Sequence, residues 1–215
     1  MNTKSEKMGI AGPVGNIELL VDTPHTAPHG TAVIAHPHPL FGGSMDNKVV
    51  QTLARAFVQC GWRAVRFNFR GVGATQGEHD EGRGELHDLL AVVQQLAPEG
   101  PLALAGFSFG AFVTSHAVQT LWPQRPLEKI VLIGTAASRF AVANIAPEAH
   151  ARTLVLHGEQ DDTVPLADVL DWARPQSLPV TVVPGGGHFF HGQLPLLKSV
   201  VVRHLSAAHD LFMLR

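Results

Sequence analysis

The residues with the clearest chemical potential are Gly106-Phe-Ser108-Phe-Gly110, a Gly-x-Ser-x-Gly pentapeptide. A serine hydroxyl is a weak nucleophile until a neighbouring base takes its proton, and that base needs an acid to orient it. The pentapeptide follows an apolar run, Leu102–Ala105, and opens a helix-like segment that starts near Phe109 and continues through Leu121. Strand, tight turn and helix in that order make a nucleophile elbow, which holds its serine in a strained backbone conformation with the hydroxyl exposed. Gly106, Gly110 and Ala111 are small, as the close approach of strand and helix backbones requires. Alone, the pentapeptide also suits an ordinary Gly-Ser-Gly surface loop. The strand before it and the helix after it favour the elbow.

Partners for Ser108 are expected on loops at the carboxyl ends of other strands. After the strand-like Thr153–Leu156 the chain reads His157-Gly-Glu-Gln-Asp161-Asp162-Thr-Val-Pro165. After Val180–Val183 it reads Pro184-Gly-Gly-Gly-His188-Phe-Phe-His191. The chain order Ser, Asp, His is the one the elbow motif predicts. Among His188, His191, His157, His36 and His38, the base is expected at His188, because three glycines let the backbone swing its ring toward Ser108. Spacing from the strand end favours Asp161 as the acid. Asp162 is the alternative, with helix capping ahead of Pro165 as its other role. His157 reads as a buried ring bonded to loop backbone, and Glu159 as an exposed loop residue.

Acyl transfer also needs two backbone N–H donors at the developing oxyanion. One is expected at Phe109, directly after the nucleophile. The other should come from His36-Pro-His-Pro-Leu-Phe-Gly-Gly43. Pro37 and Pro39 have no N–H, so Leu40 is the favoured donor, with Phe41 behind it. His36 and His38 suggest a metal pair, but no further ligand cluster completes a site, so no metal is expected and the pair is expected to stiffen the loop. Phe41, Phe140 and Phe189 are candidates for an apolar substrate pocket, together with Phe109 and Phe190, although any single Phe reads equally well as core.

These residues need a scaffold. Strand-like runs at Val14–Val21, Thr31–Ala35, Arg63–Phe69, Leu102–Ala105, Lys129–Ile133, Thr153–Leu156 and Val180–Val183 alternate with helical spacing at Val49–Val58, Gly84–Leu96, Phe109–Leu121, Val164–Ala173 and Leu194–Leu205. Continuous apolar strands alternating with helices predict an α/β fold with a mostly parallel sheet covered on both faces. Neither linker nor repeat interrupts the 215 residues, so 1–215 is expected to form one domain. Charged residues make up 16% of the chain and its net charge is −2, which argues against nucleic-acid or membrane-surface partners. A single cysteine, Cys60, excludes an internal disulfide framework and suits a cytoplasmic location. The polar start, Met1–Gly9, lacks the apolar core of a signal peptide, and no apolar run is long enough to span a bilayer.

On these motifs the chain resembles the α/β-hydrolase superfamily, and within it the small lidless bacterial hydrolases with a His-Pro-His-Pro-x-x-Gly-Gly loop. The matching residues are His36–Gly43 with Met45, Asn47 and Lys48; Asn68–Gly77; Gly106–Gly110; His157–Pro165; and Gly187-His188-Phe-Phe. The resemblance implies a carboxylesterase-like enzyme without metal or organic cofactor. It also implies that the short Gly134–Arg152 connection, where such folds usually insert a lid, leaves an open and shallow site. The expected substrate is a small or short-chain acyl ester. Thioester or amide cleavage on the same triad, and a non-catalytic ligand-binding role, are the alternatives. A nucleotide-binding reading of Gly71–Gly77 is weaker, because its spacing is not Gly-x-Gly-x-x-Gly and it does not follow the first strand.

Overall fold

The structure is a computed structural model that describes residues 4–207. Met1–Thr3, part of the polar start, and residues 208–215 lie outside the described residues. Eight strands form one sheet: β1 (Lys4–Gly12), β2 (Gly15–Thr23), β3 (Thr31–Ala35), β4 (Arg63–Phe67), β5 (Leu102–Phe107), β6 (Lys129–Ile133), β7 (Thr153–Gly158) and β8 (Val180–Val183). Five helices accompany them: α1 (Lys48–Gln59), α2 (Arg83–Leu96), α3 (Phe109–Leu121), α4 (Leu166–Ala173) and α5 (Leu194–Ser206). The spatial order is β1-β2-β4-β3-β5-β6-β7-β8. All pairings from β4 to β8 are parallel, whereas β1–β2 and β2–β4 are antiparallel.

Every residue of β3, β5 and β6 is buried, because helices cover both faces of the sheet. Alternate side chains go to opposite cores. Val33, Ala35, Leu102 and Leu104 join Leu89, Val93, Val113 and Ala117 on the α2–α3–α4 face. Ala32, Ile34, Ala103, Ala105 and Phe107 join Leu53, Phe57, Leu197 and Val201 on the α1–α5 face. Within α1 the apolar residues Val49, Val50, Leu53 and Phe57 form one buried stripe, and Asn47 caps its start by accepting the Val49 N–H at 2.9 Å.

Several strand ends shift by one or two residues, β4 ending at Phe67 rather than Phe69 and β5 at Phe107 rather than Ala105, and two departures have a clear physical cause. β1 is a strand although its sequence, Lys-Ser-Glu-Lys-Met-Gly-Ile-Ala-Gly, has no apolar alternation; it is an edge strand held by main-chain pairing to β2. α4 begins at Leu166 rather than Val164, because Pro165 is extended, at φ −55° and ψ 136°, and its ring disfavours a helical conformation at Val164 before it.

The chain passes from β3 to β4 on one side and places β5 on the other. The sheet order therefore reverses beside β3, and the carboxyl ends of the strands there are where an open α/β sheet places its site.

Candidate active site

Ser108 directly follows β5 and precedes the first turn of α3, at φ 57° and ψ −117°. A non-glycine residue held there stores roughly 1–3 kcal/mol of strain. Close packing on both sides enforces the geometry. A Cβ at Gly106 would lie 2.3 Å from the Gly110 carbonyl oxygen, and one at Gly110 would lie 2.4 Å from that of Ala35. The Ser108 N–H donates to the Ile133 carbonyl at 2.8 Å. The elbow is thus wedged between β3 and β6.

His188 reaches Ser108 from the loop after β8. Its Nε2 lies 2.9 Å from Ser108 Oγ, and its Nδ1 lies 2.7 Å from Asp161 Oδ2. The carboxylate partner puts the ring proton on Nδ1 and leaves Nε2 free to accept from the hydroxyl. Asp161 Oδ1 accepts the N–H groups of Val164 at 2.7 Å and Thr163 at 3.0 Å. Burial works to raise the Asp161 carboxyl, but the hydrogen bonds from His188 and the Val164 N–H outweigh it and hold the group below the usual carboxylate range. All three side chains are close to fully buried. Two glycines around them are constrained: a Cβ at Gly158 would sit 2.3 Å from the Gly186 carbonyl oxygen, and Gly134 holds φ 54° beside the His188 ring.

The alternatives to these residues lie elsewhere. Asp162 is exposed, and among the described residues its carboxylate meets only the Thr163 hydroxyl, at 3.4 Å. Its capping role is not seen either, since no side chain caps α4. His191 is exposed. Glu159 is exposed but tied down, accepting the Gly185 N–H at 2.8 Å, which links the Asp161 loop to the glycines before His188. His157 is fully buried and its Nε2 lies 2.9 Å from the Val164 carbonyl.

The His36–Gly43 loop departs from expectation at one position. The Leu40 N–H donates to His38 Nδ1 at 3.2 Å, and the Phe41 N–H donates to the His38 carbonyl at 3.1 Å. Leu40 is therefore not a free donor: Pro39–Phe41 forms a short 3-10 turn, and the His38 side chain caps it. His38 stands between the two prolines and has an N–H of its own. Among the described residues, neither that group nor the Phe109 N–H has a hydrogen-bond acceptor. The signal was present in the sequence as the one residue between Pro37 and Pro39 able to donate.

A model of the family described as serine aminopeptidase, S33, matches residues 27–140, a span that contains the His36–Gly43 loop and Ser108. An uncharacterized protein of Rickettsia prowazekii is 32% identical over 195 residues, covering 83% of this chain and 79% of its own length. An α/β serine hydrolase without a lid from Xanthomonas campestris superposes with a TM-score of 0.85 at 37% identity, covering 95% of each chain. An α/β serine hydrolase homologue from Coxiella burnetii gives 0.79 at 38% identity, covering 94% of this chain and 97% of its own.

The chain belongs to the S33-type serine hydrolases.

The fold of this hydrolase is the lidless α/β-hydrolase fold, and the mouth of its site is correspondingly bare. Leu40 and Phe41 are 70% and 74% exposed, and Phe189, next to His188, is 44% exposed. The other aromatics expected there turn inward. Phe109 and Phe190 are fully buried, and Phe140 stacks on Phe112 with ring centres 4.7 Å apart. Phe140 nonetheless stays within 5.9 Å of the His38 ring, so it backs the wall that Phe41 and His38 present.

The glycine-rich loop after β4 has a structural role in the hydrolase. Its Ala74 N–H and the Asn68 amide both donate to Glu18, at 2.9 and 2.8 Å. A Cβ at Gly73 would collide with that same carboxylate, at 2.4 Å. Arg70 grips Asp88 of α2 through two bonds, 3.0 and 2.8 Å long, with Asp88 buried. An internal carboxylate thus already takes the Ala74 N–H of this loop. No helix among the described residues is long and apolar enough to cross a membrane.

Proposed function

We propose that this hydrolase cleaves small or short-chain carboxylic esters through an acyl-enzyme intermediate. The carrying observation is the unbroken series Ser108 Oγ, His188, Asp161, linked at 2.9 and 2.7 Å with the serine held in elbow geometry. His188 Nε2 takes the Ser108 proton as Oγ attacks the acyl carbonyl. Asp161 keeps the ring proton on Nδ1 and stabilises the imidazolium. The backbone N–H groups of Phe109 and His38 receive the oxyanion, with His38 taking the part first expected of Leu40. His188 then returns its proton to the leaving alcohol, and the same ring activates the water that releases the acid. No metal or organic cofactor enters any of these steps.

The family description raises aminopeptidase chemistry as the second reading. Binding a free α-amino group calls for a carboxylate facing the substrate. The two buried carboxylates beside this site are already engaged: Asp161 by His188 and two N–H groups, and Glu85 by the N–H groups of Asp80 and Gly82. The ester reading is the better supported, and the open mouth with exposed Phe41 and Phe189 suits short apolar acyl groups.

Labelling by a fluorophosphonate probe tests the nucleophile. Wild type is expected to label and Ser108→Ala is not, and a folded wild type that fails to label refutes the serine-hydrolase reading. A panel of p-nitrophenyl esters beside aminoacyl p-nitroanilides tests the substrate, with turnover expected for acetate and butyrate esters. Preference for the anilides, or for long-chain esters, overturns that part.

A further inference from the structure

We infer that His157 is a positioning residue for the triad acid, holding Asp161 in the orientation that serves His188; this rests on the serine-hydrolase reading above. The residue lies outside the Ser108–His188–Asp161 series, yet its ring is fully buried beside it. Its Nε2 is 2.9 Å from the Val164 carbonyl oxygen and 3.4 Å from Asp161 Oδ2. A carbonyl oxygen only accepts, so Nε2 carries the ring proton. That leaves Nδ1 as a bare lone pair, and among the described residues this buried atom has no partner.

An unpaired buried acceptor is costly, and an apolar ring of similar size would fill the space without it. What the imidazole adds is on its other side. Asp161 Oδ1 is gripped by the Thr163 and Val164 N–H groups, and Oδ2 serves His188. The His157 N–H binds the carbonyl of the same residue, Val164, whose N–H binds Oδ1. The turn that grips Asp161 is therefore itself anchored to the end of β7, within the span of one side chain. The same N–H end also faces Oδ2, which favours the ionised carboxylate. Burial pushes the His157 pKa down, so the ring stays neutral and adds no competing charge beside His188. Without the anchor, the carboxylate is free to rotate away from Nδ1 of His188 while Ser108 and the backbone donors stay in place.

The test compares wild type with His157→Phe, His157→Gln and His157→Asn on p-nitrophenyl butyrate, with thermal unfolding measured for each. Phe fills the space and cannot donate. Gln can place an N–H near the position of Nε2, and the shorter Asn cannot. A misplaced catalytic group costs on the order of 10²-fold. His157→Phe and His157→Asn are expected to lose about that much kcat with KM within threefold. The pH at which their activity falls on the acid side should move lower, because the imidazolium loses part of its partner. His157→Gln should keep most of the activity and the wild-type pH profile. Three folded variants with wild-type kcat and pH profile overturn the proposal. So does a Gln variant that falls as far as Phe, with activity following unfolding temperature. Should His157→Phe fail to fold, the Gln–Asn pair decides: Gln above Asn supports the proposal and equality overturns it. A wild type that does not label with fluorophosphonate marks a failure of the hydrolase reading instead, and the proposal falls with it.

Discussion

Two loops of this hydrolase begin alike and end differently. Each leaves a strand whose end is buried and opens with a histidine of zero exposure: His36 after β3, and His157 near the end of β7. His36 has both ring nitrogens engaged. Its Nε2 accepts the Phe69 N–H at 3.0 Å, and its Nδ1 donates to the Pro37 carbonyl at 2.6 Å. His157 has one nitrogen engaged, and that one is shared with a carboxylate. The first loop ties the ends of β3 and β4 together and then turns outward, exposing Leu40 and Phe41. The second closes on itself and keeps Asp161 inside. A buried histidine whose hydrogen bonds are complete is a brace. His157, left incomplete next to a charge, is the one we propose to serve the chemistry.

The sharpest way to break the comparison is at the charge. Asp161→Asn can still accept the Thr163 and Val164 N–H groups, but it presents an amide N–H to His188 and forces the wrong tautomer. The loss expected from such a change is about 10⁴-fold in kcat. Asp162→Asn, at the exposed neighbour, should stay within about twofold, since the exposed site is solvent-screened. Kinetics of the pair on one short-chain ester check this. Equal effects would show that the loop does not single out Asp161.

The second difference is in stability. Burial drives the His36 pKa down to about 4 from an ordinary 6.5. The unfolded chain therefore takes up a proton before the folded one does. The stability held in neutral His36 is complete above about pH 6.5 and is lost as pH falls toward about 4, by about 3 kcal/mol over that window. Asp161 behaves as a lowered carboxylate: its contribution is complete above the ordinary carboxylate range and is lost further into acid. Urea midpoints from pH 7.5 to 4.5 should therefore fall more steeply in wild type than in His36→Leu. At pH 7.5 the Leu variant should itself be less stable by roughly 3 kcal/mol, because the Phe69 N–H and the Pro37 carbonyl lose their buried partner. Its activity per folded molecule should drop far less than that of Asp161→Asn. A His36→Leu variant of wild-type stability would remove the brace from the comparison.

How legible this was from the residues follows the same division. The elbow, His188 and Asp161 could be located because each sits at the end of an apolar strand whose spacing is visible in the chain. The bounds of β6 and β8 and the span of α3 coincide with the apolar patterns that suggested them. β1 was hidden because an exposed edge strand needs only main-chain pairing, which leaves no side-chain pattern. The N–H left without an acceptor in the His36–Gly43 loop, that of His38, was hidden for a different reason. The two prolines point past His38 to Leu40, and nothing in the spacing shows that the His38 side chain claims the Leu40 N–H. Side chains that bond their own backbone change which groups are free, and spacing does not record that.

The smallest expected effect lies at the outer end of the first loop. Phe41 is 74% exposed and packs mainly against the His38 ring, with ring centres 4.7 Å apart. Its removal opens no core cavity, so Phe41→Ala should leave the unfolding midpoint within about 0.5 kcal/mol of wild type. Under the proposed function, what it removes is apolar contact with the acyl or alcohol portion of the substrate. Losing one partly exposed aromatic contact is worth about 1 kcal/mol, or roughly a fivefold rise in KM, with kcat nearly unchanged because the contact is the same in ground and transition states. The effect should grow from acetate to butyrate as the acyl chain reaches farther along the ring. Steady-state kinetics on the two esters check it. A fall in kcat instead would mean that Phe41 holds the His38 backbone in place, and that the exposed tip of the brace is coupled to the oxyanion donors after all.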